Sequence, residues 1–159
     1  MTEIGTDGQE TSFWRRGWRW KTEPHGETAD VGLLLLRVVT GLLMMTRHGW
    51  GKLTSFGERA AIWADPIGVG SELSLALAIF SEFFCSALVV VGLATRGAAI
   101  PVVCTMLVAA GIVHWDDPFG KKEFPLLFLT PFLTLVCTGA GRYSIDGWLQ
   151  NRRNKDSHE

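Results

Sequence analysis

Two charged residues lie inside apolar segments of the sequence. Arg37 interrupts LLLLRVVTGLLMM, and Glu82 interrupts SELSLALAIFSEFFCSALVVVGL. A charge in apolar surroundings costs about 2.5–3.5 kcal/mol on insertion scales, so such residues usually face a partner. At a rise of about 1.5 Å per helical residue, Arg37 lies about 12 Å from the start of its segment and Glu82 about 16 Å from the end of its segment. In consecutive antiparallel helices these two ends lie on the same side of the membrane. We therefore predict an Arg37–Glu82 ion pair, which either supports the function or only holds two helices together.

A second set of titratable residues stands where apolar segments begin or end. His48 and Lys52 follow the first segment, His114 closes the third, and Glu123 precedes the fourth. Histidine titrates near neutral pH and can donate or accept a proton. With Lys52 to stabilise negative charge, this set predicts an extracytoplasmic polar mouth that suits a quinone headgroup or a small polar substrate, and solvated interface residues are the alternative. No compact HxxxH or ExxH spacing accompanies these residues, so we predict no metal site.

Four apolar segments must hold these side chains in place. The mean hydropathy of +0.19 is only mildly positive because both ends of the chain are polar. A helix needs roughly 20 apolar residues to cross a bilayer, and the segments at 29–46, 71–93, 98–115 and 124–140 approach or meet that length. They lack the polar face that a soluble bundle requires. We therefore predict an all-α integral membrane four-helix bundle.

The polar regions complete the predicted organisation. Residues 1–28 form a Trp/Arg-rich tail that includes WRRGWRW, 29–148 form the membrane domain, and 149–159 form a polar C-terminal tail. The connection between the first two segments contains Phe56, Ile62 and Trp63, which predicts a short interfacial helix. The first segment has a long polar region before it and no small-residue cleavage site after it, so we interpret it as an uncleaved anchor.

The distribution of Lys and Arg predicts the orientation. Nine of these residues fall in the two tails and the connection between segments two and three, against five at the opposite ends of the segments. The positive-inside rule then places both termini in the cytoplasm of a bacterial plasma membrane. The net charge of −1 and the lack of a basic face argue against a nucleic-acid partner.

Several short features follow one another in a characteristic order. They are Arg37, then HGWGKL with His48, Gly49 and Lys52, then Glu82, GLATRGAA with Gly92, Thr95 and Arg96, Met106 and His114, Glu123, and GAGRYSID with Gly139, Gly141, Ser144 and Asp146. Together they resemble the DoxX family of small four-span bacterial membrane proteins, from about Gly32 to Trp148.

The resemblance implies a membrane bundle associated with redox chemistry. Some relatives are linked to quinone-reducing sulfur oxidation or quinol oxidase complexes, others to membrane complexes that manage oxidative and thiol stress, and many have no assigned activity. The N-terminal extension departs from the family pattern. So do Cys85, Cys104 and Cys137, which form no CxxC pair and match no family motif.

Three functions remain open at this point. The first is a redox-linked subunit that acts on or near quinone, with electrons supplied by a partner or a substrate and no covalently bound cofactor. The second is a non-enzymatic scaffold whose tails dock soluble or membrane redox proteins, and the third is a small-solute carrier. Membrane lipid is the partner common to all three, and the sequence leaves both catalysis and homo-oligomerisation open.

Overall fold

The computed structural model describes residues 26–156 of the 159-residue chain. The WRRGWRW stretch and most of the predicted N-terminal tail lie outside the described residues. All regular structure within 26–156 is helical, with no strand. The predicted helical class is therefore confirmed for this part of the chain.

Six helices follow one another along residues 26–156. Their bounds are α1 Glu27–Thr54, α2 Phe56–Arg59, α3 Ser71–Val91, α4 Thr95–Val113, α5 Phe119–Thr138 and α6 Ile145–Asp156. Of these, α1, α3 and α4 are long and apolar enough to cross a membrane. The fourth long helix, α5, carries Lys121, Lys122 and Glu123 in its first two turns. Its apolar part therefore starts only at Phe124 and is about 22 Å long.

The first helix extends beyond the segment predicted for it. It begins at Glu27 and continues through RHGWGKL to Thr54, whereas the sequence indicated 29–46. Gly49 has an ordinary helical φ of −73°, and Gly51 is likewise helical. Neither glycine ends the helix. Lys52 is consequently a helical residue rather than part of the connection.

Each of the three candidate spanning helices contains one π-helical segment. These segments are Met44–Gly49 in α1, Phe80–Cys85 in α3 and Ala109–Val113 in α4. The π-helical turns of α1 and α3 lie against each other. Such turns are rare in helices and often occur at functional sites. The contact between these two turns brings His48 and Glu82 to the same level of the bundle.

The four long helices alternate in direction around a narrow apolar core. The core contains Met44, Val89, Val102, Phe132 and Leu135, all of them fully buried. Large aliphatic side chains such as Leu35, Leu77, Leu107 and Leu127 point outward instead and are exposed. Outward leucines on every candidate span are what a bilayer environment requires, because lipid is as apolar as the side chains themselves.

Close packing of α1 on α3 depends on two glycines. A Cβ atom added at Gly41 would lie 2.7 Å from Val90 Cγ2, and one at Gly49 would lie 2.8 Å from the Cβ and the backbone nitrogen of Phe83. Small residues at such points let membrane helices approach closely. The two contacts also fix the register, with Gly49 opposite Phe83 and Gly41 opposite Val90.

The connection between α1 and α3 is closed by Asp65. Its carboxylate accepts hydrogen bonds from the amides of Val69 (3.0 Å) and Gly70 (2.7 Å) and from the Ser74 hydroxyl (2.7 Å). The Ser74 hydroxyl, followed by the Gly70 amide, holds the pKa of Asp65 below its ordinary value. The carboxylate thus joins the connection to the first turn of α3.

Replacing Gly49 by alanine should destabilise the protein. The added methyl group would overlap Phe83, and overpacking of this kind costs about 1–3 kcal/mol. Gly51→Ala is the matched control, because a Cβ atom there meets nothing within 4 Å and should be neutral or stabilising by up to about 1 kcal/mol. Denaturant unfolding of the purified protein in detergent measures both, and equal effects of the two variants would contradict the register.

The Asp65 connection should loosen in acid. Because the folded pKa of Asp65 is lowered, its hydrogen bonds stabilise the connection fully above the unfolded pKa of about 4 and are lost as the pH falls through the folded value. Amide hydrogen exchange at residues 67–74, corrected for intrinsic rates, should therefore accelerate below about pH 4. Asp65→Asn should show fast exchange at neutral pH, whereas the exposed control Glu58→Gln should behave as the unmodified chain does.

Candidate functional site

A buried ion pair joins the end of α1 to the middle of α3. The Lys52 Nζ atom lies 2.6 Å from Oε1 and 2.5 Å from Oε2 of Glu82. Only 3% of Glu82 is exposed, whereas the Lys52 side chain is partly accessible at 18%. The pair is therefore sealed on the α3 side and open on the Lys52 side, toward the α1–α3 connection.

An aromatic ring covers the open side of this pair. The Lys52 ammonium lies 5.2 Å from the centre of the half-buried Trp63 ring, within cation–π range. An ammonium held between a carboxylate and a ring keeps its charge at a lower desolvation cost than an isolated one. Trp63 belongs to the segment for which the sequence predicted a short interfacial helix, although the helix itself, α2, spans only Phe56–Arg59.

His48 lies one helical turn before Lys52 and faces a different neighbour. Its ring centroid is 4.6 Å from that of Phe124 and 5.6 Å from that of Phe128, both on α5. The imidazole is half-buried, so it is partly screened from solvent while it keeps its ring nitrogens for hydrogen bonding. His48 therefore joins α1 to α5 at the level where Lys52 joins α1 to α3.

His114 belongs to a separate cluster in the α4–α5 connection. Its Nδ1 atom lies 2.8 Å from Asp117 Oδ2, and Lys121 Nζ lies 2.8 Å from Asp117 Oδ1. The hydrogen bond from Lys121, with that of His114 second, holds the pKa of Asp117 below its ordinary value. Glu123 is exposed in the second turn of α5. Of the four predicted mouth residues, Lys52 is thus a member of the buried pair and His48 lies one turn before it on α1. His114 lies in the neighbouring α4–α5 connection, and Glu123 lies in the second turn of α5.

Arg37 is buried at the opposite end of the bundle. Its guanidinium donates through Nη1 to the carbonyl of Ala140 at 3.3 Å and through Nη2 to the carbonyl of Tyr143. A Cβ atom at Gly92, whose φ is +72°, would lie 1.8 Å from Nη1. Arg37 thus occupies a space that is open only because residue 92 is a glycine. Its hydrogen bonds go to backbone carbonyls of the non-helical segment after α5.

The predicted Arg37–Glu82 ion pair is therefore wrong, because Glu82 pairs with Lys52. The prediction assumed that α1 and α3 start flush at one membrane surface. In the structure Arg37 lies level with Gly92, and α1 projects about ten residues beyond that level, or about 15 Å. Glu82 is ten residues from Gly92 on the other side, which places it opposite Gly49.

Two aspartates to which the sequence analysis assigned no role complete the Arg37 end. Asp146 accepts hydrogen bonds from the amides of Ala94 (2.7 Å) and Thr95 (2.9 Å), which begin α4. The buried Asp30 accepts from the amide of Arg142 at 2.9 Å. Asp146 lies in the GAGRYSID motif and accepts hydrogen bonds from backbone amides of the GLATRGAA motif. The two motifs therefore form one hydrogen-bonded structure. Asp30 gave no signal beyond its place in the first turn of α1.

The polar interior contains no second charge pair and no metal site among residues 26–156. A hydroxyl–hydroxyl contact of 2.7 Å joins Ser81 on α3 to Thr105 on α4, next to Glu82. No three His, Cys, Asp or Glu side chains in the described part lie close enough to hold a metal ion. The three cysteines are free thiols, with Cys85 buried and Cys104 and Cys137 exposed on the outer surface.

These features define a helical membrane protein with buried charged groups at both ends of its bundle. The DoxX family model matches residues 32–115, which is just over half of the chain. The chain belongs to the DoxX family.

Two curated relatives support this assignment. The inner membrane protein YqjF of Escherichia coli (strain K12) is 31% identical over 129 residues, covering 77% of this chain and 95% of YqjF. The "Putative oxidoreductase CatD" of Bacillus subtilis (strain 168) is 32% identical over 118 residues, covering 74% of this chain and 86% of CatD. No solved structure matches the chain.

Removing one member of the buried pair should be more harmful than removing both. Lys52→Met should cost about 3–5 kcal/mol of unfolding free energy, because it leaves Glu82 buried without compensation. The double variant Lys52→Met/Glu82→Met should recover most of that loss. Lys121→Met, which breaks the exposed pair with Asp117, is the control and should cost less than about 1 kcal/mol.

The same measurement tests the corrected pairing. Because Arg37 and Glu82 share no partner, the effects of Arg37→Met and Glu82→Met should add within about 0.5 kcal/mol. Strong coupling between Arg37 and Glu82, with none between Lys52 and Glu82, would contradict the pairing described above.

Proposed function

We propose that this protein is a redox-linked membrane protein that acts on or near a quinone. The observation that carries the proposal is the buried Lys52–Glu82 pair, open on one side and adjoined by His48 among aromatic rings. A quinone headgroup presents two carbonyl oxygens on a flat ring. An ammonium and an imidazole are suitable donors for those oxygens, and the rings of Phe124 and Phe128 offer flat apolar surfaces nearby.

Each residue has a chemical role in this proposal. Conversion of a quinone to a quinol takes up two electrons and two protons, and the electrons come from a partner redox protein or a reduced substrate. Lys52 stabilises the negative charge that develops on oxygen, as an ordered donor in a site of low polarity does. Glu82 keeps Lys52 in place, and His48 passes protons to and from the headgroup. His114 and Glu123 exchange those protons with solvent at the α4–α5 connection.

The proposal includes a membrane arrangement. We propose that α5 is the fourth span, so that the chain forms a four-helix bundle in a bacterial inner membrane with both termini in the cytoplasm. The excess of Lys and Arg at the Arg37 end supports this orientation, and YqjF is named as an inner membrane protein. The apolar part of α5 is short, but the buried backbone after it, from Gly139 to Gly141, can lie at membrane depth because protein surrounds it.

A redox role is also consistent with one relative's name. CatD carries the name "Putative oxidoreductase", and its similarity covers most of both chains. That description gives the class of reaction and no substrate. The choice of quinone rests on the side chains around Lys52.

A scaffold function is the second candidate, and one observation favours it. Both carboxylate oxygens of Glu82 are bound to the same ammonium group, which is the arrangement expected of a pair that only holds α1 against α3. In that case the pair fixes helix register, and the polar ends of the chain bind partner enzymes. This function predicts no response of the bundle to quinone.

Quinone binding should raise the thermal stability of the full chain. At a hundredfold excess over the dissociation constant, ubiquinone-1 or menadione should stabilise the purified protein by about 2.7 kcal/mol, or about 5–10 °C in Tm. His48→Leu, which keeps an apolar side chain against Phe124, should lose most of this increase. Lys52→Gln should lose it as well if the variant folds, and Lys52→Arg keeps the charge in case it does not.

Arg59→Gln is the matched control for Lys52→Gln. Arg59 is exposed and bonds to the Ser55 hydroxyl, so its loss should leave the quinone-dependent increase unchanged. No quinone in solvent extracts of the protein, together with no shift in Tm by either probe, would reject the quinone proposal and leave the scaffold function.

A further inference from the structure

Helix α6 turns its apolar side away from the protein. Asp146 bonds to the amides that begin α4, and Gly147 is buried where a Cβ atom would lie 2.7 Å from the Arg142 carbonyl. At 100° per residue these two residues share one side of the helix. The opposite side carries Ile145, Trp148 and Leu149, which are 39%, 51% and 37% exposed. A helix at a water-facing surface normally has the reverse arrangement.

Basic side chains border this apolar side. On the helical wheel, Arg153 and Lys155 fall on its two edges, and Arg152 lies within it, stacked on the Trp148 ring at 4.0 Å. All three are exposed. One acidic residue, Asp156, lies on this side at the last position of the helix. An apolar strip with cations on both edges is typical of helices that lie in a membrane interface.

The start of α6 lies at the level where two candidate spans end. The Asp146 amide donates to the carbonyl of Gly92, directly after α3, and the Asp146 carboxylate holds the first amides of α4. The end of a spanning helix lies at the membrane surface. Val91, the last residue of α3, and Leu93, shortly after it, are also exposed apolar residues.

We propose that α6 is an anionic-lipid-binding helix, with Ile145, Trp148 and Leu149 inserted among the headgroups and its basic residues on lipid phosphates. Phosphate is the complementary charge for Arg152, Arg153 and Lys155, and a tryptophan beside an arginine is well suited to the interface between acyl chains and headgroups. This surface is at the end of the bundle opposite the Lys52–Glu82 pair. The inference therefore does not depend on the proposed reaction with quinone.

Hydrogen exchange in lipid nanodiscs tests the lipid-binding surface. The full chain is reconstituted in phosphatidylcholine alone and in an equimolar mixture with phosphatidylglycerol. Amides of residues 145–156 should exchange at least about fivefold more slowly in the mixture, the factor expected for one cation on an anionic surface. High salt should reduce the difference. Brominated phosphatidylglycerol should quench the fluorescence of the unmodified chain more than that of Trp148→Phe.

Two charge variants separate the surface from a general effect of lipid charge. Arg152→Gln/Arg153→Gln should reduce the dependence on phosphatidylglycerol while the thermal stability of the bundle is unchanged. Arg59→Gln/Lys121→Gln removes the same charge from the opposite end and should keep it. Equal exchange of α6 in both lipids, or no quenching assigned to Trp148, would overturn the proposal and indicate that this side faces water or a protein partner.

Discussion

The absence of water around a buried charge is the constraint on which this structure depends. Arg37 is 2% exposed on a helix whose neighbouring residues face lipid, so its donors must be matched by protein acceptors. The carbonyls of Ala140 and Tyr143 accept from Nη1 and Nη2, whereas Nε has no hydrogen-bond partner among the described residues. These carbonyls are available only because the chain leaves the helix after Thr138. One charge therefore requires a non-helical C-terminal segment, a glycine at position 92 and the aspartate that holds the start of α4.

The two ends of the bundle satisfy their charges in different ways. At the Arg37 end, two backbone carbonyls accept from the guanidinium, and Asp30 and the backbone from Gly139 to Gly141 are buried. At the Lys52 end, one flexible ammonium matches one carboxylate, and Trp63 covers a side that remains partly accessible. An enclosed network favours rigidity, whereas a pair with one accessible member can exchange a partner for a ligand. The chemistry we propose is therefore at the Lys52 end, and the Arg37 end holds the helices in position.

The sequence predicted the kinds of residue at both ends better than it predicted their partners. Hydropathy predicts apolar helices, and the cost of buried charge identifies Arg37 and Glu82 as residues that need partners. The identity of those partners depends on register, which follows from glycine contacts at Gly41 and Gly49 and from the projection of α1 beyond α3. Nothing in the order of residues measures that projection. The π-helical turns are equally invisible, since no proline or glycine pattern marks all three of them. Lys52 was placed after the first segment, although the helix continues through Gly49 and Gly51 to Thr54.

The distance along the chain between Arg37 and its acceptors has a consequence for synthesis. Tyr143 follows Arg37 by 106 residues, so at about 5–20 residues per second the ribosome needs roughly 5–20 s to deliver the carbonyl after the arginine. During that interval the guanidinium on the first helix lacks the two carbonyls that accept its hydrogen bonds. The Arg37 end of the bundle is therefore completed late in synthesis. A chain that stops before Ala140 lacks both carbonyl acceptors of Arg37.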